Sequence, residues 1–156
     1  MTEKNIYRQS RENAGLTREE ASELIGCMSP NLIEKIENGK VTIAPEHVLQ
    51  FSIHYKDPSL CNYYCSHDCP LGQEYVTQVD SKNLEQISLE ILNDLNTLVN
   101  EKDKLIGIAV DGDITEDEFE YFRRIHDQLT KMEQAIDSLQ LWIDKKIGDG
   151  KLNGSL

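Results

Sequence analysis

The chain has 156 residues, 16 basic and 28 acidic, for a formal net charge of −12. That length suits one compact domain or two small ones. No apolar run approaches the ~20 residues needed to span a bilayer, and the polar, charged start carries no signal-peptide pattern. The four cysteines therefore predict thiols or a metal in a soluble, cytoplasmic protein rather than a disulfide framework.

The acid is unevenly spread. Residues 1–56 hold seven Lys/Arg against eight Asp/Glu, and residues 57–156 hold nine against twenty. The second stretch reads as a solvated helical surface that keeps the chain soluble.

Residues 17–40, TREEASELIGCMSPNLIEKIENGK, pack two short capped helices into two dozen residues. Thr17 caps the first, with Glu20 three residues on as its capping-box partner, and Ala21, Leu24 and Ile25 share a face. Gly26 supplies the backbone freedom of a sharp turn. Ser29 is a second N-cap and Pro30 sits at the first helical position, where its missing N–H costs nothing. Leu32, Ile33 and Ile36 form the buried face of the second helix, and Asn38-Gly39 stops it. This is the format of a helix-turn-helix, in which the second helix enters the major groove.

At GLT (15–17), EEASELIG (19–26), Ser29 and IENGK (36–40) the chain resembles the phage-repressor (Xre/Cro) type of transcriptional regulator. The resemblance covers roughly residues 4–56 and implies a five-helix DNA-binding domain. The turn Gly26-Cys27-Met28-Ser29 is one residue longer than the usual Gly-x-Ser. The resemblance turns Thr17, Arg18, Ser29, Pro30, Asn31, Glu34, Lys35, Asn38 and Lys40 toward double-stranded DNA. In that frame Asn31 suits an adenine edge and Lys35 a guanine or phosphate. Arg18 and Lys40 suit phosphates. Glu34 can accept from cytosine but repels the backbone. The local charge is poor for nucleic acid, which predicts modest affinity per protomer, strong salt sensitivity and a need for dimers. The alternative is a protein-interaction adaptor that uses the same fold without DNA.

Pro45 opens a fourth helix with Val48, Leu49, Phe51 and Ile53 as its apolar positions, and Asp57-Pro58-Ser59 is a turn and cap. In LCNYYCSHDCPLG (60–72), Cys61, Cys65 and Cys69 are spaced by four, with His67 nearby. Pro70 and Gly72 place the end of that helix at or before Cys69. Those four side chains are a candidate ligand set for zinc or an iron–sulfur cluster, which would make the chain a metal- or thiol-sensing regulator. The alternative is a short buried helix using cysteine as a small apolar residue, with no cofactor at all. The segment also resembles those of clostridial-type, Firmicutes-like regulators of the same family.

Residues 81–110 carry Leu84, Ile87, Ile91, Leu95, Leu98, Leu105, Ile106 and Ala109 in steps of three and four, a long amphipathic helix with Ser81 as its cap and Asp111-Gly112 as its end. Thr115 and Glu118 form a capping box for a second long helix. Its stripe is Phe119, Phe122, Ile125, Leu129, Met132, Ile136, Leu139, Ile143 and Ile147. Residues 111–119 also resemble half of a calcium loop, but Gly107 and Ala109 stand where its first acids belong, so the segment reads as a turn plus cap. The hairpin has little core of its own. The economical answer is a second copy, giving a dimeric four-helix bundle that presents two reading helices to two half-sites; the alternatives are packing back on the DNA-binding domain or docking a different protein.

The expected architecture is all-α. It comprises a DNA-binding domain at 1–56, a Cys-rich connector at 57–80, a dimerising hairpin at 81–148 and a flexible tail at 149–156. No phosphate-binding glycine loop, HExxH or nucleophile elbow is present, so an enzyme is not expected.

Overall fold

A computed structural model describes residues 5–111 and 115–152. Every regular element among them is a helix: α1 (Ile6–Asn13), α2 (Arg18–Ile25), α3 (Pro30–Glu37), α4 (Pro45–Tyr55), α5 (Ser59–His67), α6 (Pro70–Tyr75), α7 (Leu84–Asp111) and α8 (Glu116–Gly148). The chain divides into two compact units, Met1–Gln78 with Ile143–Leu156, and Val79–Trp142. Among the described residues no helix is long and apolar enough to cross a membrane.

The core of the first unit takes side chains from α1 to α5. Tyr7, Ala21, Ile25, Ile33, Ile36, Val48, Phe51, Tyr55 and Leu60 are buried, with Met28 and Ile43 from the loops. Phe51 stacks on Tyr55 with ring centroids 4.9 Å apart and lies 6.0 Å from Tyr7. Of the apolar positions of α4, Leu49 and Ile53 are exposed, as is Leu24 of α2. The buried face of α4 is Val48, Phe51 and Tyr55, which follow the three- and four-residue step of one helical face.

The fifth helix falls beyond residue 56. A left-handed turn at Lys56, φ 55°, ends α4. Asp57 then starts α5, its Oδ1 accepting from the Ser59 N–H at 3.3 Å. Leu60 anchors α5 in the core, and Cys61, Tyr63 and Tyr64 pack beside it. The α5 helix stops at His67, and Pro70 begins α6 at its first position rather than closing a helix. A Cβ at Gly72 would overlap the Cys65 carbonyl, so α6 lies hard against the end of α5. Tyr7 reaches across to this corner, its hydroxyl donating to Asp68 at 2.9 Å.

In the second unit α7 and α8 pair antiparallel. The Tyr121 hydroxyl donates to the Glu101 carbonyl at 2.6 Å, and the Gln128 amide to Asp94 at 2.7 Å. Both bonds obey one register, and a heptad further along it Ile87 stands level with Ala135, both buried. Asn83, not Ser81, caps α7: its Oδ1 accepts from the Gln86 N–H at 2.8 Å. Ser81 lies too far from the first turn to reach those donors. Glu118 accepts from the Thr115 N–H at 2.9 Å, the carboxylate half of the expected box. The calcium-like segment includes residues 112–114, which lie outside the described residues, as does the side chain of Ala109.

Candidate nucleic-acid interface

The α2 helix is fastened at both ends. Thr17 Oγ1 accepts from the Glu20 N–H at 3.2 Å, and the Thr17 N–H donates to Glu20 at 2.7 Å. The Thr17 backbone N–H, with the Thr17 side chain, holds the Glu20 carboxyl below the usual glutamate range. Gly26 closes the helix at φ 74°, in the left-handed region that an L side chain enters only with strain.

The turn absorbs its additional residue by burial. Cys27 points outward, while Met28 joins the core and its carbonyl accepts from Ser22 Oγ at 2.6 Å. Ser29 then caps α3, accepting from the Leu32 N–H at 3.2 Å, and Pro30 occupies the first helical position. At the far end Gly39, φ 66°, lets the Lys40 N–H return to the Lys35 carbonyl at 2.8 Å.

With Ile33, Ile36 and Glu37 turned inward, the other side of α3 is free. Ser29, Asn31, Glu34, Lys35, Asn38 and Lys40 are exposed, and Pro30 is partly so. Thr17 is exposed at the start of α2, next to Arg18. The residues expected to face DNA thus lie on the solvent side of α3 and on the adjoining N-terminus of α2.

Arg18 has a second task. Its Nε donates to Glu37 at 2.8 Å. Glu37, whose side chain is 1% exposed, also receives Arg11 Nε at 2.6 Å and Nη2 at 3.1 Å. Arg11 spends Nη1 on the Leu16 carbonyl at 2.6 Å, and Glu37 holds its guanidinium above the ordinary arginine value. This cluster ties α3 to α1 and to the start of α2. A guanidinium has five N–H donors, so the Nε bond leaves Arg18 others to offer a phosphate. The sequence reading missed Glu37 and Met28. The signal for Glu37 was its phase: it follows Ile33 by four and Ile36 by one, a charged residue at a core position.

The cysteine motif does not assemble as a ligand set. Because α5 ends at His67, Cys69 belongs to the next helix, where its sulfur caps α6 by accepting from the Gly72 N–H at 3.5 Å. The His67 ring stacks on Tyr63 at 4.2 Å, and its Nδ1 lies 2.9 Å from Ser66 Oγ. Cys61 is packed against the core. Burial, with the neighbouring Cys69 and Cys61, pushes the Cys65 thiol up, away from the thiolate that metals and oxidants need. Among the described residues no three His, Cys, Asp or Glu side chains are grouped to hold a metal ion, so the expected set of Cys61, Cys65, His67 and Cys69 is not brought together. All four cysteines are free thiols.

Residues 8–55 match the model of a family described as a helix-turn-helix domain. The match runs from within α1 to the end of α4, and it supports a DNA-binding regulator. No curated protein matches the chain, and no solved structure does.

Proposed function

We propose that this chain is a sequence-specific DNA-binding transcription regulator of the phage-repressor (Xre/Cro) type. It acts in the cytoplasm as a homodimer and represses by occupying promoter DNA. One observation carries the reading: the helix after the turn keeps a polar row, Asn31, Glu34, Lys35 and Asn38, on its outer side while Ile33, Ile36 and Glu37 lock its inner side into the core. A rigid helix with an unused polar face is what base readout requires. Asn31 reads a base edge, and Lys35 pairs with guanine or phosphate. Arg18 and Lys40 bind phosphates on either side, with Thr17, Ser29, Pro30 and Asn38 against the backbone. Nothing in this role calls for catalysis.

The test is selection of genomic fragments by the purified protein at low and physiological salt, with Lys35→Glu beside it. The expected result is a short inverted repeat that survives physiological salt and is lost in the variant. Removing a phosphate contact lowers the salt slope by about one.

A protein-interaction adaptor is the second reading, favoured by Glu34 in the middle of the face and by the share of Arg18 taken by Glu37. Under it, no fragment is enriched, and Lys35→Glu leaves a protein partner bound.

A further inference from the structure

The exposed side of the hairpin is apolar with a period. The seam between α7 and α8 passes through Ile87, Asp94 and Glu101 on one helix and Tyr121, Gln128 and Ala135 on the other. A second ladder repeats every seven residues: Leu92, Val99 and Ile106 on α7, and Phe122, Leu129 and Ile136 on α8. Phe122 is partly buried; the other five are 50% to 59% exposed.

Helical geometry puts both ladders on one face. The α7 ladder stands five residues after each seam residue, about 140° round the helix, and the α8 ladder stands one after, about 100°. In an antiparallel pair, rotations of the same sense turn toward the same side. Register sets Val99 level with Phe122, and Leu92 with Leu129. Rotation the other way has a visible outcome. Thr97, Arg124 and Lys131, each three residues after a seam residue, line one groove, a cavity of about 280 Å³. The hairpin therefore has an uncharged apolar ladder on one face and, opposite it, a groove edged by Arg124, Asp127 and Lys131.

We propose that the apolar face is a second heptad seam, covered by the same face of a second copy's hairpin. This rests on the homodimer proposed above and names its surface. An occupant has to bring helices of the same seven-residue period, two abreast and antiparallel, to fill both ladders; the chain's own hairpin is such an object. The exposed ladder residues with Leu95 and Val110 beside them offer on the order of 700 Å² per chain, close to the ~800 Å² per partner that stable interfaces bury. None of the six ladder positions is charged, in a stretch (57–156) that holds twenty acids. A two-fold axis makes such a contact self-complementary and leaves the groove edged by Arg124 and Lys131 open on the outside of the bundle.

The test weighs the full chain by light scattering at micromolar concentration, without DNA. Wild type is expected at dimer mass. Val99→Glu and Leu129→Gln are each expected to weaken self-association, the first by about a hundredfold, with helix content by circular dichroism unchanged. Lys131→Glu, in the opposite groove, is expected to remain a dimer. A wild-type monomer overturns the proposal. So does a dimer that survives both ladder variants, or one lost instead with Ile53→Glu in the first unit. The regulator reading fails separately: a dimer that selects no DNA keeps the seam, and a monomer that selects DNA sinks the seam alone.

Discussion

Glu37 carries the heaviest single consequence in the first unit. Its carboxylate is enclosed and answers two guanidiniums, one of them also buried. Removing one partner of a buried pair leaves an uncompensated charge, at a cost of about 3–5 kcal/mol. Glu37→Gln is expected to lose at least the lower figure in urea unfolding. Arg18→Ala, whose side chain is 29% exposed, removes a pair that water already screens and is expected to cost under about 1 kcal/mol. Equal losses for the two would mean that the cluster is held by packing rather than by charge. The contrast also separates roles, since Arg18→Ala should weaken DNA binding while leaving the fold in place.

At the scale of the element, the two long-chain caps respond to acid in a defined direction. Bonds from Thr17 lower the Glu20 carboxyl, and bonds from Thr115 lower that of Glu118. A carboxyl that gives up its proton more readily in the folded state stabilises the fold above its ordinary range. That contribution fades as pH falls through the lowered value. Melting temperature should therefore decline between neutral and strongly acid pH by less in Glu20→Gln than in wild type; identical declines would assign the acid sensitivity elsewhere.

Two glycines make an opposed pair. Gly107 lies inside α7 with nothing within reach of an added Cβ. Gly107→Ala is expected to raise hairpin stability by about 0.5–1 kcal/mol. Gly72 is buried against the Cys65 backbone, so Gly72→Ala must part α6 from α5, at about 1–3 kcal/mol. Denaturant titration of both variants reads the two signs directly.

For the whole molecule, charge sets two salt dependences against each other. DNA binding is expected to weaken with salt, because each counterion released by a phosphate contact gains less entropy in a saltier solution. Pairing of two hairpins taken from a strongly acidic stretch is expected to strengthen, because salt screens their repulsion. Sedimentation with and without operator DNA across a salt series should show self-association rising while the complex dissociates. Parallel decline of both would place the dimer contact on charge rather than on the apolar ladders.

Much of the architecture was legible from spacing. Capping residues marked the starts of α2, α3 and α8 because a cap is a local bond between near neighbours in sequence, and the helix-turn-helix format followed from two such caps around Gly26. Three- and four-residue steps announced α7 and α8, but not how their apolar residues divide. The stripes held Ile87 of the inner seam and Ile106, Phe122, Leu129 and Ile136 of the outer ladder but missed Leu92 and Val99, because seam and ladder separate only once the register is set by Tyr121 against Glu101 and Gln128 against Asp94. Leu49 and Ile53 are apolar yet exposed for a similar reason: hydropathy records what a side chain prefers, not which side of its helix has a neighbour.

By itself the sequence determined the helical class and the helix-turn-helix format, both properties of contacts within a few residues. Tertiary structure alone decided that Glu37 joins Arg11 and Arg18 across 26 and 19 residues, and that Met28 takes up the longer turn. It also decided that Cys61 packs against the core and Cys69 caps α6. Each of these depends on where distant segments meet, which burial of the whole core settles and no local pattern encodes.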